Sequence, residues 1–511
     1  MAANRRKKRE KGFVLLVTTA SMLLVLPTVG LAIDAGFLYA VRARLSAAAD
    51  AGALAAARSL SKGLTLAEQE QSARARARAF FDANFPDGFL NTKNKVVGIE
   101  VAETAFRTRT VYVNAQVDAN LYFMRTLGFD ETPIAVEGKA SRRDVNLIVV
   151  LDRSGSMQSA GACEPMKEAS KAFVKQFANG RDRLGMVTFS TNVNLDFAPS
   201  MNFKPGIEDK INNISCSGFT NSASALWRAY EELQNINEPG TLNLILFFTD
   251  GQPTALTAAF PIKRVSDNRY EIRNGWDATV NTEPSPCKDR EGDRYDRNAG
   301  AGERQYWAPN WNPNWDAEPT TITGVMRAPQ AGFFKNYGDT EGLFSLSTGS
   351  RLSTGRSCAF DTYDYREDNL RRDFAYIPDR DTHGSRTRGG ASYIPIESSM
   401  KFPSGHPYEG KLRIDLPKAL AAASKNAAHN AAYNIRDDST LRPVIYSIGL
   451  GDPANPIYAP DPEFLQRIAN DPESPGFVEA HQTGLFVFAP DKTELAQAFY
   501  RVASEILRIS Q

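Results

Sequence analysis

The residues of this 511-residue chain best suited to chemistry are oxygen donors at the ends of apolar runs. Asp152-Arg153-Ser154-Gly155-Ser156-Met157 closes the run 145–151, and Thr249-Asp250-Gly251 closes the run 242–248. Between them, Ser217-Gly218-Phe219-Thr220-Asn221 opens a helical pattern. Carboxylates and hydroxyls are hard donors, suited to Mg²⁺. In an open parallel sheet, ligands bind outside the carboxyl ends of the strands. Strands that end at 152 and 250 as neighbours would therefore make three loops converge. The plain alternative is that Asp152 and Asp250 only cap the helices beside them and hold no ion.

The elements that must position these loops read as α/β. Continuous apolar runs at 145–151, 184–189, 242–248, 444–448 and 485–488 are the pattern of strands buried on both faces. Helical patterns lie between them. Met166, Ala169, Phe173 and Phe177 share one helix face, and Leu495, Phe499, Val502 and Ile506 share another behind an Asp491-x-x-Glu494 cap. Strands alternating with helices predict a doubly wound domain with a mainly parallel sheet over 142–511. The alternation stops between 254 and 417, where Gly, Pro, Asp, Arg and aromatic residues dominate. A structureless loop of that length is uncommon, and the aromatics can build a small core. The stretch is therefore read as an inserted subdomain. It leaves the sheet just after Asp250, so it is expected to overhang the candidate site and shape partner choice; the plain alternative is a solvated decoration. Cys287 and Cys358 are placed to staple it. Cys163 and Cys216 belong to loops of the candidate site and are expected to form a stiffening disulfide; the competing reading is two buried free thiols.

The N-terminus sets the compartment. Residues 4–11 carry six basic side chains, and residues 12–33 follow without a charge. Those 22 positions span roughly 33 Å as a helix, enough for a bilayer core. The positive-inside rule leaves residues 1–11 cytoplasmic and the remainder across the membrane, as a single-pass anchor. The competing reading is a signal peptide cleaved at Gly30-Leu31-Ala32, but the apolar stretch exceeds an ordinary signal core. The Ala-rich residues 34–60 prolong the helix. Thr65-Leu66-Ala67-Glu68 has capping-box spacing, which predicts a second helix over 66–83. Strands at 96–101, 111–117 and 133–140, with a short helix near 120–127, complete a small α+β unit over 34–141.

Composition narrows the function classes. Lys+Arg 60 against Asp+Glu 59 gives no electrostatic case for nucleic acid. Four Cys and four His leave little room for a disulfide scaffold or a His-rich metal site. Residues 405–411 match G-x-x-x-x-G-K, yet Leu412 follows where a P-loop needs Ser or Thr, and no buried strand precedes. No G-x-S-x-G, H-E-x-x-H or C-x-x-C occurs, and nothing argues for an enzyme.

The loop residues resemble the metal-ion-dependent adhesion site of the von Willebrand factor A (VWA) domains: D-x-S-x-S, a Thr, and a later Asp in a T-D-G context. The resemblance implies Mg²⁺ (or Mn²⁺) at Asp152, Ser154, Ser156, Thr220 and Asp250. The three hydroxyls would coordinate directly and the two carboxylates through water. One position would stay open for an Asp or Glu of a protein partner. Phe219 departs from the family, which often has Gly there; it would shield the site or change access. The N-terminal segment, with Ile33-Asp34-Ala35-Gly36, Arg42 and Ala48-Ala49-Asp50-Ala51-Gly52-Ala53-Leu54-Ala55, resembles the TadE/TadG-like proteins of tight-adherence (Flp) pilus assembly. That likeness covers about residues 10–60, with weaker support to 140. Val17 stands where prepilin processing after Gly12 wants Glu, which favours a permanent anchor. The two resemblances imply an envelope-anchored VWA protein that binds a partner through its metal, within pilus assembly or at a surface. The alternative is a structural minor pseudopilin whose metal site only stabilises the fold. In VWA domains that switch affinity the last helix slides, a behaviour open to 491–508.

Overall fold

In a computed structural model the described residues are 7–261, 321–327, 341–346, 374–390, 392–406, 408–414, 416–451 and 460–510. The chain divides into two compact units: Met1–Asp144 with Ala178–Gly180 and Leu507–Gln511, and Val145–Phe177 with Arg181–Ile506.

The first unit is built on one long helix. Uncharged apolar residues followed by an Ala-rich stretch hold a continuous helix α1 over Lys7–Ser59, 53 residues, through Pro27. Helix α2, Leu66–Asn84, begins at the expected capping box: the Glu68 N–H donates to Thr65 Oγ1, and Glu68 Oε2 accepts from the Thr65 N–H. Strands β1 (Lys93–Ala105), β2 (Thr108–Asn120) and β3 (Glu131–Arg143) form an antiparallel meander in that order. The strands run longer than their Val-rich cores suggest. Between β2 and β3 lies a 3₁₀ turn, Met124–Leu127. Val111, Val113, Ala115 and Val117 of β2 are buried against Val41, Leu45, Ala49 and Ala53 of α1 and Ala73, Ala77 and Phe81 of α2. Small residues let the helix approach closely: a Cβ on Gly138 of β3 would overlap the Ala49 carbonyl.

The second unit is the doubly wound sheet. Strand β4 is Val145–Asp152, followed by helices α3 (Gly155–Ser159) and α4 (Cys163–Val174). Then come β5 (Arg183–Phe189), β6 (Val193–Ser200), α5 (Lys204–Asn212), α6 (Ser222–Ile236) and β7 (Leu242–Thr249). Strands β8 (Ala255–Pro261), β9 (Thr321–Arg327) and β10 (Glu341–Phe344) follow. The last elements are α7 (Pro417–Arg436), β11 (Val444–Leu450), α8 (Pro462–Ala469), β12 (Phe486–Ala489) and α9 (Leu495–Ile509). The six-stranded order is β12-β11-β7-β4-β5-β6, parallel except for β6 at the edge. All eight residues of β4 are buried, as its unbroken apolar run requires. Ile148, Val150, Ile245 and Phe247 pack toward α6 and α7, while Phe248 meets Phe499 of α9, which also meets Phe173 of α4.

Residues 255–261 are still strand. With β9 and β10 they make a separate antiparallel sheet in the order β10-β9-β8. Phe374, Ile377, Met400, Leu412 and Ile414 join the same buried cluster as the main sheet and α6. The described part of 254–417 thus shares the core of the domain that it interrupts. Cys287 and Cys358 lie outside the described residues.

Candidate metal centre

Parallel register makes the loops converge. Leu151 of β4 pairs with Phe248 of β7, so Asp152 stands beside Thr249 at the carboxyl ends of adjacent central strands. Asp152 is fully buried and held from two sides: its Oδ1 accepts from the Ser154 N–H at 2.7 Å, and its Oδ2 accepts from Thr249 Oγ1 at 2.5 Å. The chain of side chains continues from there. Ser154 Oγ and Ser156 Oγ lie 2.8 Å apart, and Ser156 Oγ donates to Asp250 Oδ1 at 2.7 Å. Asp250 is 3% exposed, and its other oxygen, Oδ2, is buried without a hydrogen-bond partner.

Thr220 comes to this chain through its loop. Among the described residues its hydroxyl makes no hydrogen bond to the other four. The Gly155 N–H donates to the Gly218 carbonyl, and the Ser217 N–H to the Arg153 carbonyl. The Thr220 N–H donates to Thr254 Oγ1, and its carbonyl accepts from Thr254 and Ala255 at the start of β8. The expected Cys163–Cys216 disulfide is formed and ties the start of α4 to the approach of this loop. Gly218 has φ +93, and a Cβ there would lie 2.9 Å from Thr191 Oγ1, so the close crossing of the 190–191 and 217–220 loops needs glycine.

The electrostatics call for positive charge. Burial pushes the Asp152 carboxyl up to about 6, against the hydrogen bonds from Ser154 and Thr249 that favour its ionised form. Burial, and then the neighbouring Asp152 charge, push Asp250 well above the usual carboxylate range. Two buried carboxyls in one pocket cannot both ionise without a counter-charge. A divalent cation supplies one. Among the described residues no group of three or more His, Cys, Asp or Glu is placed to hold a metal. An ion here must therefore use hydroxyls, and this donor set of hydroxyl and carboxylate oxygens suits Mg²⁺. The orphaned Asp250 Oδ2 and the paired serine hydroxyls fit the group that the sequence implies.

Three supporting residues had little or no sequence signal. Thr249 sits in the T-D-G context, but its role, clamping Asp152 and accepting from the Gly251 N–H, emerges only from the register. Thr191, which accepts from the Phe219 N–H, and Thr254 stand in loops with no recognisable pattern. Phe219 is pinned rather than loose. The Arg327 guanidinium of β9 sits 4.1 Å from its ring centroid and 4.8 Å from that of Phe344 in β10. The described residues of the G-x-x-x-x-G-K match lie in turns and bends, and Lys411 is ion-paired to Asp379.

Comparison with known proteins gives two family matches. Residues 147–252 match the model of the von Willebrand factor type A domain. Residues 12–59 match the model described as Flp pilus-assembly TadE/G-like. No curated protein matches the chain. Among solved structures, the vWF domain of the type V pili tip protein Mfa5 from Porphyromonas gingivalis has 17% identity and TM-score 0.35, covering 73% of this chain and 98% of that one. The PilB minor pilin from Streptococcus sanguinis has 13% identity and TM-score 0.33, covering 83% and 80%. The pilus adhesin SpaC from Lactobacillus rhamnosus GG, in an open conformation, has 11% identity and TM-score 0.34; 81% of this chain is covered but only 34% of that one.

Proposed function

We propose, for a chain that joins a TadE/G-like segment to a von Willebrand factor type A domain, that it is an envelope-anchored, non-enzymatic binding protein of pilus assembly or surface adhesion. Residues 12–33 of α1 cross the inner membrane with residues 1–11 on the cytoplasmic side. The domain outside binds an acidic side chain of a protein partner through Mg²⁺ or Mn²⁺. Asp152, Ser154, Ser156, Thr220 and Asp250 hold the ion. Bound there, the metal supplies an electrophilic contact for a carboxylate in a partly dry site, which is stronger than a surface ion pair. The protein's own part is preorganisation: Thr249 fixes the Asp152 carboxylate, Ser154 and Ser156 are oriented by Asp250, and the 163–216 bridge restrains the Thr220 loop.

The observation that carries this reading is the buried, unpartnered Asp250 Oδ2 at the end of an Asp–Ser–Ser–Asp hydrogen-bonded chain. The two family matches support the pilus context. The test uses the full chain in nanodiscs as bait for envelope and surface extracts, in Mg²⁺ and in EDTA, beside Thr220→Val. A protein retained only by the wild type in Mg²⁺ is the expected result. The same proteins captured by both baits in both buffers would overturn it. The structural pseudopilin reading would then stand, with Thr220→Val lowering only the Tm.

A further inference from the structure

The loop between β2 and β3 presents apolar side chains where a soluble loop would be polar. Tyr122, Phe123, Leu127 and Phe129 are 51%, 47%, 69% and 58% exposed. The loop is nonetheless well built. The Leu121 N–H donates to the Asp130 carbonyl, that of Phe129 to Met124, that of Thr126 to Phe123 and that of Gly128 to Arg125. The Tyr122, Phe123 and Met124 N–H groups all donate to the carboxylate of Asp34, at 2.8–3.3 Å. Asp34 is 1% exposed and is the first charge after the apolar span of α1. The Phe123 ring lies over Gly30, where a Cβ would come within 2.7 Å of it, and Tyr122 meets Phe37 edge-on at 5.1 Å. The loop is thereby fixed to the turn of α1 at which the uncharged segment ends.

We infer that residues 121–130 form a second membrane contact, with Tyr122, Phe123, Leu127 and Phe129 entering the interface of the leaflet where the α1 span ends. The inference rests on α1 as the anchor proposed above. Three observations choose lipid as the occupant. The loop's depth is set by Asp34 and Gly30, at the boundary of a 22-residue apolar span. Its composition of aromatic and aliphatic side chains, with the exposed Arg125–Asp130 ion pair beside them, is that of an interfacial segment. Its backbone N–H groups are closed by Asp34 and by the loop itself, so partial entry into the interface leaves few donors unpaired. Helix and loop together would fix the tilt of the first unit on the membrane, which a single helix does not.

The experiment places Trp probes in the full-length protein reconstituted in vesicles with brominated lipids. The variants are Leu127→Trp and Phe129→Trp in the loop and Leu23→Trp in the span, all at exposed positions. The five native Trp follow residue 226, and the wild type measured in parallel supplies their background. The added emission of both loop probes is expected to fall roughly twofold or more with bromine near the headgroups, and less with bromine at the chain ends. Leu23→Trp is expected to show the reverse order. A quenched span with unquenched loop probes would overturn the inference and leave the anchor standing. Quenched loop probes with an unquenched span would sink the anchor and overturn the inference of a second contact at its end, leaving the loop as a membrane contact by itself. No quenching at either site would overturn both, and loop emission that responds only to added envelope protein would assign the patch to a protein partner.

Discussion

Replacing Cys163 and Cys216 by Ser tests whether the bridge is a structural brace of the candidate centre. The bridge closes a loop of sequence separation 53. Loop-closure entropy for that length gives about 4 kcal/mol at 25 °C. The enclosed segment includes α4, β5, β6 and α5, all regular elements, so the main effect falls on the unfolded chain. At ~2.1 cal/mol/K of unfolding entropy per residue over roughly 360 residues of the second unit, this corresponds to a Tm fall of about 5–6 °C. Calorimetry on the metal-free protein reads it, with thiol titration of the unfolded wild type as control. The bridge further restrains the approach to Thr220, so Mg²⁺ affinity is expected to weaken roughly tenfold, the scale of a lost supporting contact. Free thiols at 163 and 216 in the wild type, or a Tm change under about 1 °C, would refute the reasoning.

Two other perturbations have defined signs. Gly218→Ala puts a Cβ 2.9 Å from Thr191 Oγ1 in a backbone of φ +93, and should cost about 1–3 kcal/mol in denaturant unfolding; a change below about 0.5 kcal/mol would show that the crossing is not tight. His481 is buried, and burial first and the Arg436 charge second hold its pKa below the ordinary value, against the opposing pull of Asp437. The unfolded state therefore takes up a proton first, and stability present near pH 7 is lost as pH falls below about 6.5. His481→Gln should flatten the Tm slope between about pH 7 and pH 5, and an unchanged slope would count against this assignment.

How much of this was legible depends on whether a residue's role is local. The run 145–151 announces a strand buried on both faces, and the D-x-S-x-S that closes it lands where a parallel sheet presents its ligands. The pairing of Cys163 with Cys216 followed from their positions in converging loops. Thr65 and Glu68 marked the start of α2 because a capping box is a four-residue device. The rest was set by tertiary contact. Strand β8, Ala-Leu-Thr-Ala-Ala-Phe-Pro, has neither a strong apolar run nor a clear alternation, so its strand character was not legible. Phe374, Ile377, Leu412 and Ile414 are scattered through loop sequence without a period, yet they join the domain core. Thr249 and Thr191 are ordinary threonines until the sheet register sets one beside Asp152 and the other beneath Phe219.

The long first helix has a mechanical consequence. It passes without a break from the apolar span into the core of the first unit, where Val41, Leu45, Ala49 and Ala53 are enclosed by α2 and the meander. A tensile load on β3 reaches α1 as shear along the helix axis, distributed over several turns. Gly138 seated against the Ala49 carbonyl acts as a detent, because sliding the helix by one residue drives a side chain into that backbone. Acting as the anchor proposed above, such a helix has no swivel between the apolar span and the first unit, and it yields by withdrawing a core helix rather than by stretching a linker.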